Sequence, residues 1–560
     1  MAYIHLSGIF RSPPSTHNDP PSFRFPIPST PPTMARDSRD VFQQPSAGTV
    51  THDEPPPGFV GASKRTFFGH PVGLSTLFFT EMWERFSYYG IRPLLVLFMT
   101  AALASGGFGL DRATASSIVG IYAASVYLAS LPGGWIADRW LGLRRSIWYG
   151  GVLIALGHLS IALSIVFAHT AFYIGLVLIV MGTGLLKPNI SAIVGDLYPE
   201  GGSRRDAGFS IFYMGINIGA LVAPLITGIL GERVGWSLGF GAAGLGMVIG
   251  LVTYRLRGDK TLGDVGVLPG SIDPAEHRRV RLSAIIGVGV IALLVLLTMT
   301  GFIHINAVSL AQKMTYVIVG SALLYFIYLF VGGGLTSEEK KRVVVIILLF
   351  FFAAIFWSAF EQAPTSLNLF ARDFTNRVVF GWEMPTLWLQ AANSVFVIAL
   401  APVFAAIWIA LGKRGKAPSS IAKFAWGLFF AGVGFVVMVF AANIVIAGGG
   451  NVRVSSWWLV WSYFFQSVGE LSLSPVGLSS MTKLAPIKFK GQMMGIWFMA
   501  SALGNLVAGL VGGRVDPEKL PQMPILFRQT SMFLFIAAVV CGLLVIPVRR
   551  MMREVPAANR

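Results

Sequence analysis

Long apolar runs recur from about residue 72 to residue 549, and they restrict the fold of this chain more than any other feature. A helix needs roughly 17–25 apolar residues to cross the hydrocarbon core of a bilayer, and about fourteen runs reach that length. Charged residues make up 12% of the 560 residues, against about 25% in soluble proteins. We therefore predict an all-α polytopic membrane protein with helices near residues 72–101, 114–137, 146–168, 170–197, 208–231, 234–255, 282–302, 314–334, 342–363, 385–411, 420–447, 455–478, 489–513 and 527–549.

The first 66 residues differ from the rest in composition. The segments SPPSTHNDPPSFRFPIPSTPP and DEPPPG are rich in Pro and Ser and lack the apolar pattern of a packed core. We predict that residues 1–66 form a disordered cytosolic tail. The single cysteine, Cys541, lies in an apolar run, and the eight histidines are scattered without the spacing of metal ligands. The sequence therefore indicates no disulfide framework, no metal site and no bound cofactor.

Basic residues are concentrated in alternate loops. Clusters such as Arg144/Arg145 and Lys340/Lys341 fall in one set of loops, whereas the other set holds far fewer Lys and Arg. By the positive-inside rule the basic set is cytoplasmic, and an even number of helices places both termini there. These loops account for the net charge of +17, so we expect a lipid bilayer and not nucleic acid as a partner. We predict a multi-pass protein of the cell inner (plasma) membrane.

A polar segment divides the apolar runs into groups. Residues 256–281 are charged, and the two helices after them contain almost no ionisable residue. Six helices precede this break and six follow the extra pair, which resembles the major facilitator fold with two halves around a central site. The predicted units are an N-terminal six-helix bundle, a linker with two extra transmembrane helices, a C-terminal six-helix bundle and a short cytosolic tail. They cover residues 67–257, 258–341, 342–550 and 551–560.

The loop after the second span carries a local motif. Its sequence, GGWIADRWLGLRR, is similar to the G-x-x-x-D-R-x-G-R-R loop of the major facilitator superfamily. Asp138 could brace a neighbouring helix end, while Arg139, Arg144 and Arg145 pair across a cytoplasmic gate or face lipid headgroups. Plain topology charge is the alternative, but the glycines that frame the Asp-Arg pair favour the gate.

The first span carries four charges in an apolar run, FFTEMWERFSYYGIRPLL. Its polar residues follow the spacing i, i+3, i+4, i+7, i+8 and i+11, which places them on one helical face. They are Glu81, Glu84, Arg85, Tyr88, Tyr89 and Arg92. Each central charge costs about 2.5–3.5 kcal/mol to insert, so this face must contact protein or a water-filled cavity. An ion pair of Glu81 with Arg85 would be a purely structural explanation, but it leaves Glu84 and Arg92 unexplained.

Other spans repeat this pattern in both halves. Interhelical hydrogen bonds, worth about 0.6 kcal/mol each, would explain single amides such as Asn217. They do not explain Lys187, Glu361 and Glu470, which are charges inside the membrane and therefore functional candidates. Cations in one half and carboxylates in the other would suit a zwitterion. The further polar and aromatic candidates are Tyr127, Trp357, Gln390, Asn393, Gln466, Ser474 and Trp497.

Five separated segments resemble the signatures of bacterial proton-dependent oligopeptide transporters, the POT or PTR family of the major facilitator superfamily. They are E-x-x-E-R-F-S-Y-Y-G (81–90), LLKPNISAIVGDLY (185–198), FYMGINIGALVAP (212–224), FEQAPTSLNLFARDFTNR (360–377) and ELSLSPVGLSSMTKLAP (470–486). The resemblance covers residues 66 to 550. It implies a symporter, with no enzymatic activity, that imports di- and tripeptides by alternating access, with protons as coupling ion and no cofactor. We expect a monomer.

The resemblance also implies roles for single residues. Proton coupling would involve Glu81, Glu84 and Arg85 together with Glu361, which could form a salt bridge that an arriving proton breaks. The N-terminal half of the peptide site would comprise Tyr88, Tyr89, Arg92, Tyr127, Lys187 and Asn217, with Lys187 and Arg92 at the peptide carboxylate. Asn393 and Glu470 would hold the amino end. Side-chain pockets would be shaped by Trp357, Ser474 and Trp497.

Three departures from the family pattern accompany this resemblance. Ala363-Pro364-Thr365 follow Gln362 where small residues are common, and Ser394 follows Asn393 where proline is common. The second span has no histidine, so coupling would rest on carboxylates. A transporter of the same fold for another small substrate, such as nitrate, a drug or an amino-acid conjugate, remains an alternative. A membrane enzyme or sensor would need a nucleophile–base set or metal ligands at one depth, and the sequence shows none.

Overall fold

The computed structural model describes residues 66–200, 202–267, 273–416 and 418–553. Most of the predicted N-terminal tail and the last seven residues lie outside these ranges. The α-helices are α1 (Gly73–Thr100), α2 (Arg112–Ile136), α3 (Leu143–Ala162), α4 (Ser164–Asp196), α5 (Gly202–Ile229), α6 (Trp236–Leu262), α7 (Pro274–Met299), α8 (Ala307–Val331), α9 (Ser337–Phe360), α10 (Asn368–Phe374), α11 (Ala391–Lys413), α12 (Ser420–Ala447), α13 (Trp457–Leu484), α14 (Lys490–Gly512) and α15 (Gln522–Arg553).

Six two-residue strands join loops and contribute little to the architecture. They are β1 (Thr66–Phe67), β2 (His70–Pro71), β3 (Thr375–Asn376), β4 (Val378–Val379), β5 (Trp382–Glu383) and β6 (Val454–Ser455). β1 pairs with β2 and β4 with β5 in antiparallel fashion, whereas β3 and β6 are parallel. In the described ranges the prediction of fourteen long helices is confirmed, with α10 as a short continuation of α9.

Eleven of these helices are long and apolar enough to cross a membrane by length and composition alone. The three long helices outside that group are α1, α3 and α13. α1 contains the four charges of the polar stripe, which lower its hydropathy, although most of its residues are buried. By contrast, none of the most apolar stretch of α7 is buried. A helix that is apolar on all sides and exposed faces lipid, so α7 lies at the periphery.

The fourteen long helices form two bundles and a peripheral pair. In the first bundle, α1 packs on α5 and α6, α2 packs on α4, and α3 packs on both α4 and α6. In the second bundle, α12 packs on α13 and α15, α11 packs on α13, and α9 packs on both α14 and α15. α8 contacts α2 and α14 from outside. We call the side where α1 begins and α15 ends the terminal face, and the opposite side the distal face.

The two halves meet along two helix pairs, α2 with α14 and α5 with α11. Glycines permit the first crossing. A Cβ at Gly120 would lie 2.8 Å from the Asn505 carbonyl oxygen and 2.9 Å from the Gly509 Cα. A Cβ has no room this close to the other backbone, whereas the hydrogen atom of a glycine does. The close approach of the two backbones therefore depends on Gly120 and Gly509.

Several helices extend beyond the predicted spans. α6 continues to Leu262, α9 begins at Ser337, and α15 continues to Arg553. The start of α9 is fixed by a capping box in which Thr336 and Glu339 bond to each other's backbone N–H. These additional turns are charged, so a search for apolar runs does not detect them.

Candidate functional site

A central cavity of about 140 Å³ lies between the two halves. Its wall is built from α1, α2, α4 and α5 on one side and from α9, α11 and α13 on the other. The structure thus brings together polar residues that are up to about 390 positions apart in sequence. The predicted residues that line the cavity are Glu81, Arg85, Tyr89, Arg92, Tyr127, Lys187, Asn217, Trp357, Glu361, Gln390, Asn393, Gln466, Glu470 and Ser474.

Five of the six polar stripe residues of α1 are buried inside the protein, and Tyr89 is half-buried. The Arg85 Nε lies 3.1 Å from the Glu81 Oε1 and also forms an ion pair with Glu84. All three side chains are at most 4% exposed. One guanidinium is therefore shared by two buried carboxylates, so it compensates only one of the two negative charges at this end of the stripe.

Tyr88 lies behind the cavity wall and links the two arginines of the stripe. The guanidinium carbons of Arg85 and Arg92 lie 5.3 and 5.7 Å from the centre of its ring. Cations at these distances are stabilised by an aromatic ring. Tyr88 and Glu84 do not line the cavity, so these two predicted site residues support the wall and do not form its surface.

An ion pair connects the two halves at the cavity. Arg92 of α1 bonds to Glu361, the residue that follows α9, and donates a second hydrogen bond of 3.1 Å to the Asn505 Oδ1 of α14. The Arg92 and Glu361 side chains are 7% and 5% exposed. Removing one partner of such a pair leaves an uncompensated buried charge and costs about 3–5 kcal/mol. The two charges therefore require each other in this state, and together they bridge the two halves.

Lys187 contributes a cation that has no carboxylate partner within the described part of the chain. Its Nζ lies 4.3 Å from the centre of the Tyr127 ring, and its side chain lines the cavity. Pro188 follows it inside α4. The ammonium is thus held against an aromatic face and remains available to an anion in the cavity.

The opposite wall presents a carboxylate and amides. Glu470 of α13 lines the cavity, and its Oε2 is buried without a hydrogen-bond partner in the described residues. Asn393 donates to the Ser467 Oγ at 2.8 Å, and Gln390 donates to the Ala363 carbonyl oxygen at 2.7 Å. A cation or N–H donor bound in the cavity could satisfy the free oxygen of Glu470.

Two aromatic residues predicted for side-chain pockets differ in position. Trp357 lines the cavity with its Nε1 unpartnered in the described residues. Trp497 is fully buried and packs against Gly477 of α13, outside the cavity wall. It forms no part of the cavity surface in this state, and its role in a side-chain pocket stays a prediction.

The structure also identifies residues that were not among the predicted site residues. Asn505 binds Arg92, and it is an isolated amide in an apolar span, the same signal that pointed to Asn217. Tyr213, Tyr463 and Ser394 line the cavity, but a tyrosine or serine in a transmembrane helix carries no charge that would single it out.

The four residues of the loop motif lie on the terminal face, away from the central cavity. Arg139 pairs with Glu276 of α7 at 2.7 Å, and Arg144 pairs with Asp259 of α6. Asp138 and Arg145 are exposed. In this state the arginine pairs connect the first half to itself and to the linker helix, and the gate role remains a prediction.

The distal face is closed by contacts between the halves. Arg112 at the start of α2 lies 2.5 Å from the Asp373 Oδ2 and 3.7 Å from the Asp516 Oδ1. Glu232, in a π-helical turn after α5, accepts hydrogen bonds from the backbone N–H groups of Thr386 at 2.8 Å and Leu387 at 3.0 Å. These contacts separate the central cavity from the distal face.

Two membrane-spanning six-helix bundles around a polar central cavity define a protein of the transporter class. Comparison with known proteins identifies the family. The model of the POT family matches residues 144–522, and the chain belongs to this family. It is 51% identical to the peptide transporter YePEPT of Yersinia enterocolitica over 88% of this chain and 97% of that protein. It is 38% identical to a di-/tripeptide transporter of Lactococcus lactis subsp. cremoris, over 80% and 90% of the two chains.

Solved structures give the same result. A crystal structure of a peptide transporter POT in complex with sulfate has a TM-score of 0.81 and 41% identity, covering 88% of this chain and 98% of that chain. A POT family transporter in complex with 5-aminolevulinic acid has a TM-score of 0.78 and 35% identity, covering 87% and 99%. The predicted all-α major facilitator fold and the predicted family are both confirmed.

Proposed function

We propose that this protein imports di- and tripeptides together with protons, by alternating access of the central cavity to the two faces. The observation that carries the proposal is a pair of opposite charges on opposite walls. Lys187 in the first half and Glu470 in the second half each lack an ionic partner among the described residues. A zwitterionic peptide would satisfy both charges at once, its carboxylate at Lys187 and its ammonium at Glu470.

The Arg92–Glu361 ion pair provides the link to protons. A proton on Glu361 would remove the negative charge, which weakens the pair and allows the distal face to open. Glu81 and Glu84 both contact Arg85, so we treat the three residues as one proton-coupling group and assign the proton to neither glutamate alone. In this proposal the protein is a monomer in the inner membrane of the cell. Its distal face is extracellular, and both of its termini are cytoplasmic. The charge asymmetry of the loops supports this orientation.

A second candidate is a smaller amino-acid-like zwitterion or conjugate. The relative with bound 5-aminolevulinic acid has 35% identity to this chain, and that compound also carries an ammonium and a carboxylate. The same two walls would bind it. Nitrate would use the cation of Lys187 only and leave Glu470 without a partner, so the unpaired carboxylate disfavours it.

The test is uptake of a labelled dipeptide into proteoliposomes with and without an inward proton gradient. We expect accumulation only with the gradient, and competition by unlabelled di- and tripeptides. Competition by 5-aminolevulinic acid but not by dipeptides would favour the second candidate. Uptake that is independent of the gradient would contradict proton coupling.

A further inference from the structure

A second cavity, of about 480 Å³, opens on the terminal face of the first half. The start of α3, the end of α6 and the turn after α6 form its wall. Three arginines and one carboxylate line it, namely Arg144, Arg145, Arg255 and Asp259. None of these residues lines the central cavity, so this second cavity has no part in the transport site.

The positive charge of this cavity is only partly neutralised. The Arg144 side chain forms an ion pair with Asp259 and donates a hydrogen bond of 2.8 Å to the Gly263 carbonyl oxygen. The Arg255 Nη1 lies 3.6 Å from the other Asp259 oxygen, and its side chain is 68% exposed. Arg145 is exposed and has no hydrogen bond or ion pair in the described ranges. Three guanidinium groups and one carboxylate leave a net charge of two, which an anion with several oxygens would neutralise.

The backbone around these arginines is held in place before any ligand binds. The Arg144 backbone N–H donates to the Gly266 carbonyl oxygen at 3.2 Å, and the Tyr254 hydroxyl donates to the Arg144 carbonyl oxygen at 3.3 Å. Gly266 has a φ of +77°, and a Cβ there would lie 2.7 Å from Ile193 of α4. The turn is therefore packed against α3, α4 and α6, and the fold itself forms the cavity without a ligand.

An exposed apolar surface continues from the cavity along both helices. On α6, Val252 is 50% exposed and lies one turn before Arg255, with Leu245 at 61% further along. On α3, Tyr149 and Leu156 are each 49% exposed and follow Arg145 at i+4 and i+11, on the same helical face. Aromatic residues next to arginines mark the level of lipid headgroups. A free inorganic anion would make no use of this apolar surface.

We propose that this cavity binds the phosphate headgroup of an anionic phospholipid, whose acyl chains lie along the exposed faces of α3 and α6. Basic pockets between transmembrane helices bind such headgroups in general. The exposed guanidinium groups of Arg145 and Arg255 contact the phosphate, while Arg144 holds Asp259 and the turn in position. The lipid thereby holds the end of α3 against the end of α6 on the terminal face.

The test is native mass spectrometry of the purified full-length protein with dioleoylphosphatidylglycerol, compared with dioleoylphosphatidylcholine. The variant is Arg145→Gln with Arg255→Gln, which leaves the bonds of Arg144 to Asp259 and to the Gly263 carbonyl oxygen in place. The matched control is Lys413→Gln with Arg414→Gln, which removes two exposed charges from the same face in the other half. Each arginine near a lipid surface contributes about fivefold, so we expect the variant to lose at least tenfold in phosphatidylglycerol affinity and the control to lose less than twofold.

Three results would overturn the proposal. Equal losses in the variant and the control would mean that lipid binds by surface charge alone. Equal affinity of the wild type for the two lipids would exclude recognition of the anionic headgroup. Displacement of the lipid by millimolar inorganic phosphate, combined with no effect of Val252→Ser and Leu245→Ser, would identify a site for free phosphate and exclude a lipid site.

Discussion

Glu232 offers the clearest test of how the distal face is held closed. This carboxylate belongs to the first half, and it accepts two backbone N–H groups at the start of the 3₁₀ turn before α11 in the second half. Arg377, also in the second half, lies 3.9 Å away, and the Glu232 side chain is 14% exposed. The group therefore caps a helical turn across the boundary between the halves. We predict that Glu232→Gln shifts the protein toward a state with an open distal face.

The size of the shift follows from these contacts. A hydrogen bond to a charged group contributes about 1.5–3 kcal/mol. Glutamine keeps one oxygen acceptor but removes the charge, and its amide nitrogen cannot accept from the second N–H group. One charged bond, worth about 2 kcal/mol, is lost and the other weakens by about 1 kcal/mol on becoming neutral, so the closed state should lose about 3 kcal/mol. That corresponds to a roughly 150-fold change in the ratio of closed to open molecules.

Spin labels on the distal face can measure this ratio. Ala104 in the α1–α2 loop and Lys519 in the α14–α15 loop are exposed and belong to different halves. The only cysteine of the chain, Cys541, is fully buried, so introduced cysteines at the two loops can be labelled selectively. Double electron–electron resonance should show one short distance in the wild type and an added longer distance in Glu232→Gln.

The matched control is Glu518→Gln. Glu518 is an exposed carboxylate in the α14–α15 loop on the same face, and its replacement should leave the distances unchanged. An unchanged distribution in Glu232→Gln would refute the reasoning, because the cross-half cap would then contribute nothing to closure. The same long distance in both variants would show that any lost charge opens this face.

Substitutions at three further residues test the proposed transport cycle and the helix packing. Glu361→Gln should abolish proton-driven accumulation in proteoliposomes while peptide exchange continues, because the neutral amide mimics the protonated carboxylate; full accumulation would contradict the scheme. Lys187→Ala should abolish uptake by removing the free cation, whereas Lys187→Arg should retain part of it. Gly120→Val should destabilise the α2–α14 contact by about 1–3 kcal/mol and lower the melting temperature. The control is Gly241→Val in α6, where a Cβ meets open space. If both variants lowered the melting temperature equally, the close approach of α2 and α14 would not explain the destabilisation.

The fold could be predicted from sequence because span length and loop charge are one-dimensional properties. Helix ends were harder to predict. The turns beyond the predicted end of α6 contain Arg257, Asp259 and Lys260, whose charges resemble those of a loop. The start of α9 was accessible in principle, since Thr336 and Glu339 have the spacing of a capping box. The length of an apolar run gives no information on the charged turns at the end of α6 or at the start of α9.

Part of the site could be predicted because a charged residue inside a membrane must contact protein or water, which marks it as a candidate. Periodicity placed the α1 stripe on the inner face, but a helical face is wider than a cavity wall. Glu84 and Tyr88 therefore lie behind the wall that Glu81 and Tyr89 form. The identity of each partner depends on how the two halves dock, which no local pattern encodes. Asn505 as a ligand of Arg92 and Glu232 as a cap of the second half became evident only from the structure.

Arg92 imposes an order on the proposed cycle. The resemblance to known transporters implies that Arg92 and Lys187 both hold the peptide carboxylate, yet in this state Arg92 is engaged by Glu361 and Asn505. Arg92 can turn to a substrate only after Glu361 releases it, and protonation of Glu361 is the event that would do so. The same event would remove the buried ion pair that links the halves. One proton would therefore both free a peptide ligand and loosen the distal face, which ties substrate binding to gating through a single side chain.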